Sequence, residues 1–122
     1  MIGYVTLGTN DLPRAAAFYD TLLAEIGAKR LWETQRGIAW GVSPKHPTLA
    51  LMAPFDGQPA TVGNGVMIGL SVRSQALVDR VHAKALALGA KDEGAVGPRS
   101  DDFYMGYFRD PDGNKLTVFC IG

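Results

Sequence analysis

Few side chains in this sequence are of a type that ligates metals or attacks electrophiles. His46 sits in SPKHPT and His82 in DRVHAK, and they are the only two histidines. Neither has a second histidine at chelating distance along the chain, so a histidine-based metal site is not expected. On the helical face set by Val81 and Ala85, His82 should point sideways, towards a partner or solvent. Asp101-Asp102 reads as a solvated loop. The single cysteine, Cys120, lies in the apolar run LTVFCIG with no cation or second cysteine beside it, which predicts a buried structural thiol and no intrachain disulfide. Arg99, after Gly97-Pro98, and Arg109, just before DPDG, are the candidates for holding an anion. Glu33 and Glu93 read as exposed strand-edge charges rather than general bases. Gly63-Asn64-Gly65 is too short for a dinucleotide loop, and no G-x-S-x-G elbow is present.

The bulk properties narrow the classes further. A chain of 122 residues suits one domain. Its 12 basic and 12 acidic residues cancel, so there is no footprint for nucleic acid and no field suited to a strongly cationic ligand. No apolar run approaches a membrane span, and MIGYVTLGTNDL lacks the pattern of a secretory leader. A cytoplasmic protein that binds no membrane is expected.

The elements that must position these residues come in two copies. In TNDLPRAAAFYDTLLAEIGAK, Asp11 caps a helix, Pro13 fits its first turn, and Phe18, Leu22 and Ile26 form the apolar face before Gly27. In SQALVDRVHAKALALGAK, Ser74 caps, Leu77, Val81, Ala85 and Leu88 form the face, and Gly89 ends it. The strands before them also match: Val5 and Leu7 alternate with Tyr4 and Thr6, and Ile68 and Leu70 with Met67 and Gly69. Three strand-like runs follow each helix. The last two are joined by Asp110-Pro111-Asp112-Gly113, a type I turn signature. The order is therefore βαβββ twice, an α+β fold with module 1 over about 1–55, a connector over about 56–65 and module 2 over about 66–122.

This duplication, with V-T-L-G…D-L…A-x-F-Y-D…L-G-A at the start and R-D-P-D-G-N-K-L at the end, resembles the vicinal oxygen chelate superfamily over essentially the whole chain. That group holds glyoxalase I, extradiol dioxygenases, fosfomycin-resistance enzymes and bleomycin-resistance proteins. The resemblance implies two four-stranded sheets curled into an open, mixed arrangement with the helices outside and a ligand on the inner wall. It also implies a divalent ion held by one inward residue from the first and last strand of each module. Carried onto this chain, those positions fall on Tyr4, Ala50, Met67 and Thr117. None is His, Cys, Asp or Glu, whereas a divalent ion needs several N, O⁻ or S⁻ donors at about 2.0–2.6 Å. No metal and no other cofactor is therefore expected.

Alternation places Tyr4, Thr6, Met67 and Gly69 on the face opposite the helices, and Thr117 shares a face with Phe119. Trp32 and Trp40 straddle a hairpin and could meet across it. Met105, Tyr107 and Arg109 share one face of their strand and Tyr104 and Phe108 the other, with either set free to look inward. The expected ligand-binding set is Tyr4, Thr6, Trp40, Met67, Thr117, Phe119 and Arg109, around a small, largely apolar molecule. The alternative is a lyase, isomerase or dioxygenase-type enzyme that is metal-independent or uses a relocated metal. Tyr4 is then the acid-base candidate, although a phenol of pKa ~10 needs a perturbing environment to serve. A pure interaction module is a third possibility. A homodimer is expected under all three, because open sheets leave edges to cover.

Overall fold

Ile26-Gly27-Ala28-Lys29 and Leu88-Gly89-Ala90-Lys91 close two helices in the same way. In the computed structural model, which describes residues 1–122, Gly27 and Gly89 take φ of 79° and 99°. That left-handed turn lets the Ala28 N–H donate to Leu23 O and the Ala90 N–H to Ala85 O, the outer bond of a Schellman ending. The helix starts match too. The Asp11 carboxylate accepts from the Arg14 N–H at 3.0 Å, and the Ser74 hydroxyl accepts from the Leu77 N–H at 3.2 Å.

The chain divides into two compact units, Met1–Val62 and Gly63–Gly122. The first holds β1 (Tyr4–Gly8), α1 (Leu12–Ala24), β2 (Lys29–Glu33), β3 (Gly37–Gly41) and β4 (Thr48–Met52). The second repeats the order with β5 (Ile68–Ser71), α2 (Gln75–Ala87), β6 (Lys91–Pro98), β7 (Phe103–Arg109) and β8 (Lys115–Ile121). The sheets run β1-β4-β3-β2 and β5-β8-β7-β6, parallel at the first pair and antiparallel elsewhere. Neither sheet closes on itself, so the α+β reading with two βαβββ modules holds.

Each unit has its own core between sheet and helix. Phe18, Tyr19, Leu22 and Leu23 of α1 are buried together with Ile38, Trp40, Leu49 and Leu51. In the second unit Leu77, Val78, Val81 and Ala85 of α2 are buried with Phe108, Leu116, Val118 and Cys120. Cys120 is thus the buried free thiol expected. The β7–β8 turn forms around Asp110. The Gly113 N–H donates to Asp110 O at 2.9 Å. The Asp110 carboxylate accepts from the Asp112 and Asn114 N–H groups and from the Asn114 amide. Asn114 is itself buried, so the turn is fastened from within.

His82 departs from expectation. It is 6% exposed, packs edge-on to Phe108 at 6.4 Å, and places Nε2 3.0 Å from Tyr107 O and 3.4 Å from the Asp92 carboxylate. Gly106 explains the burial: a Cβ there would stand 2.9 Å from His82 Cδ2. A glycine on β7 makes the room that α2 fills with an imidazole.

Candidate functional site

In the first unit the register sorts side chains between the helix face and its opposite. Arg30 lies across from Trp40, but Trp32 lies across from Ala39, because the pairing slips by one residue at Leu31. An extra residue in one strand reverses the facing of everything beyond it. Trp40 therefore packs under α1, 1% exposed and 5.6 Å from Tyr19, with its indole N–H donating to Asp20 at 2.9 Å. Trp32 emerges on the other face, 40% exposed. The two tryptophans do not meet, and Trp40 is in the core rather than at a ligand-stacking position.

Asp20 is the hub on the helix side. Arg30 donates to both its oxygens, at 2.9 and 2.7 Å. This fork, joined by the Trp40 N–H, holds the Asp20 carboxyl below the usual carboxylate range against the opposing effect of partial burial.

On the opposite face a cavity of about 470 Å³ opens among Tyr4, Thr6, Trp32, Arg36, Met52 and Phe55, within the range of small-molecule sites. Tyr4 is 66% exposed and Phe55 90%. The Arg36 guanidinium stacks on the Phe55 ring at 5.4 Å and donates from Nε to Ala53 O at 3.1 Å. Met52 reaches here because Gly37 leaves room: a Cβ on Gly37 would overlap the Met52 sulfur. Of the expected ligand residues, Tyr4 and Thr6 line this cavity. Trp32, Arg36, Met52 and Phe55 lie outside the expected ligand-binding set. A bulge and a loop place Trp32 and Phe55, and neither leaves a periodic signal in the sequence.

The second unit resolves the facing of β7. Phe108 and Gly106 meet α2, and the Tyr104 hydroxyl donates to Asp79 of α2 at 2.7 Å, which raises the Tyr104 pKa above its ordinary value. Met105, Tyr107 and Arg109 lie on the other face, across from Phe119, Thr117 and Lys115. Phe119 packs against Phe103 at 5.8 Å. Thr117 is 2% exposed and donates its hydroxyl to Gly106 O at 2.9 Å, so this hydrogen goes to the sheet rather than to a ligand. Met67 lies one residue before β5 and is 42% exposed.

Arg109 does not pair with the neighbouring Asp110 or Asp112. Its Nε donates to Glu93 at 2.6 Å and its Nη1 to Gly113 O at 2.9 Å. Glu93 is the residue bulged out of β6 between Asp92 and Gly94. The Arg109 hydrogen bond holds its carboxyl below the ordinary value. Arg99 caps its own loop, donating to Ala95 O and to Gly97 O, and stands over the Tyr107 ring at 5.5 Å.

The four side chains that the family resemblance assigns as ligands, Tyr4, Ala50, Met67 and Thr117, include no imidazole, thiolate or carboxylate for a divalent ion. Ala50 is a fully buried methyl, Met67 offers a thioether, and the Thr117 hydroxyl donates to a carbonyl. Nowhere in the chain do three His, Cys, Asp or Glu side chains converge. No helix is long and apolar enough to cross a membrane.

This architecture has close counterparts. The sequence model of the Glyoxalase/Bleomycin resistance protein/Dioxygenase superfamily matches residues 1–118. A glyoxalase/bleomycin resistance protein from Albidiferax ferrireducens is 36% identical with a TM-score of 0.92, covering 100% of this chain and 99% of its own. A family enzyme from Burkholderia phytofirmans (16% identity, TM-score 0.78, 98% of each chain) shares the fold. So does a lactoylglutathione lyase from Agrobacterium tumefaciens (22% identity, TM-score 0.72, 98% of this chain and 92% of its own). None of the curated proteins matches. With two βαβββ units and a family match over nearly its whole length, this chain belongs to the glyoxalase/bleomycin resistance protein/dioxygenase superfamily.

Proposed function

We propose that this protein binds a small, largely apolar and flat molecule in the Tyr4–Trp32–Phe55 cavity, and that it does so without a divalent ion. The observation that carries the reading is three aromatic rings left exposed around one hollow. Exposed aromatic surface of this kind is costly in water and is retained where a partner covers it. The Arg36 guanidinium over Phe55 extends the stacking surface, and the Tyr4 and Thr6 hydroxyls supply the few polar contacts that orient a ligand. The metal-free reading rests on the donor chemistry of Tyr4, Ala50, Met67 and Thr117.

Fluorescence titration with 2-naphthol tests the reading. Saturable one-to-one binding that weakens at least tenfold in Trp32→Ala and survives in Trp40→Phe is expected. An unchanged affinity in Trp32→Ala would refute the assignment. Native mass spectrometry of the purified protein complements it. A retained organic mass without metal supports the proposal, and one metal ion per chain would overturn the metal-free part. The same spectrum counts chains per particle, for which two are expected.

A further inference from the structure

We infer that the second unit carries a binding site for a doubly charged anionic group, such as a phosphate monoester or a dicarboxylate, built on Lys91, Arg109 and Lys115. The register places Lys91 directly across from Arg109 and Arg109 directly across from Lys115. Directly opposed residues project from the same face, with Cβ atoms about 4.5–5.5 Å apart. Three cations thus stand in one row across β6, β7 and β8, on the face turned away from α2.

Such a row is unfavourable in itself, since like charges directly opposite one another repel. Glu93 is the carboxylate that answers it. The bulge in β6 swings Glu93 onto Arg109 at 2.6 Å, and Lys91 and Lys115 also act on that carboxylate. Asp92 is no help, because its pairing with Phe108 puts it on the helix side, next to His82. Lys115 has no carboxylate partner of its own and sits 5.4 Å from the Tyr107 ring, which Arg99 also approaches. Three cations sharing one acid leave room for a ligand with two negative charges.

The environment suits such a ligand. Arg109 and Glu93 side chains are 32% and 27% exposed, so their field is screened less than that of a freely solvated pair. Arg109 uses Nε and Nη1 in its bonds to Glu93 and Gly113. Next along the same face come Tyr107 and Met105, linked by a hydroxyl-to-sulfur contact of 3.5 Å. They would flank an apolar portion attached to the anion. Glu93 then acts as a resident carboxylate that a stronger anion displaces from Arg109. The site is independent of the aromatic cavity and uses none of its residues.

The test is calorimetric or NMR titration with inorganic phosphate, succinate and acetate at constant ionic strength. Phosphate and succinate should saturate at one site and bind at least tenfold more tightly than acetate. Lys115→Ala and Lys91→Ala should each weaken them about fivefold or more. Glu93→Ala should tighten them severalfold by releasing Arg109. Which of phosphate and succinate binds better separates a phosphoryl ligand from a dicarboxylate. Unfolding midpoints confirm that the two lysine variants fold, as expected for side chains at the sheet surface. Absence of saturable binding, or equal affinity in wild type, Lys115→Ala and Glu93→Ala, would overturn the inference.

Discussion

Trp32 and Trp40 project from opposite faces of one hairpin, because the β2–β3 pairing slips at Leu31 and turns Trp32 out opposite Ala39. The same residue type thereby takes a core role at one position and a surface role eight residues away. Trp40→Ala should cost about 3–5 kcal/mol, the usual range for deleting a buried aromatic. Trp32→Ala should cost about 1 kcal/mol or less while weakening 2-naphthol binding at least tenfold. Urea unfolding of both variants, beside the 2-naphthol titration, separates the two effects.

Asp20 predicts a pH dependence. Its folded pKa lies below the unfolded value of about 3.9. Its contribution is therefore fully present above that value and lost as pH falls through the folded pKa. With its side chain 41% exposed, the contribution is small, about 1 kcal/mol or less after solvent screening. In Asp20→Asn the stability difference from wild type should shrink as pH drops below about 4. Denaturation midpoints at pH 7 and at pH 3 measure it, and a constant difference would contradict the assignment.

Gly106 carries a steric prediction. An added methyl would meet Val96 Cγ1 at 2.8 Å and His82 Cδ2 at 2.9 Å. Gly106→Ala should therefore destabilise by about 1–3 kcal/mol through overpacking. Val96→Ala in the same chain should recover part of that loss, which a double-mutant cycle would report as coupling.

Thr117 offers a hydrogen-bond prediction. Thr117→Val keeps the shape and removes the donor to Gly106 O, so a loss of about 1 kcal/mol is expected. Affinity for 2-naphthol should not change, because Thr117 does not line the aromatic cavity. Thermal unfolding and the titration together check both halves.

Much of the fold was legible because its signals are local. Asp11 and Ser74 announce helix starts, the two Gly-Ala-Lys endings announce stops, and Asp110 to Gly113 spell a turn. Each depends on residues within a few positions of one another. Tyr4 and Thr6 were also readable as cavity residues, since alternation along an unbulged strand assigns the facing directly.

The positions that resisted reading depend on a partner strand or helix distant in sequence. Trp32 and Glu93 were obscured by bulges, where one unpaired residue changes the facing or reach of a side chain and no composition marks the place. The facing of Tyr107 and Arg109 was undecided until α2 chose the Phe108 side of β7. His82 looked lateral until Gly106 provided the hollow that receives it. Local propensity and period determined which elements form and in what order. Register across strands and the packing of α2 decided which side chains share a face, because that depends on pairings between residues far apart in the chain.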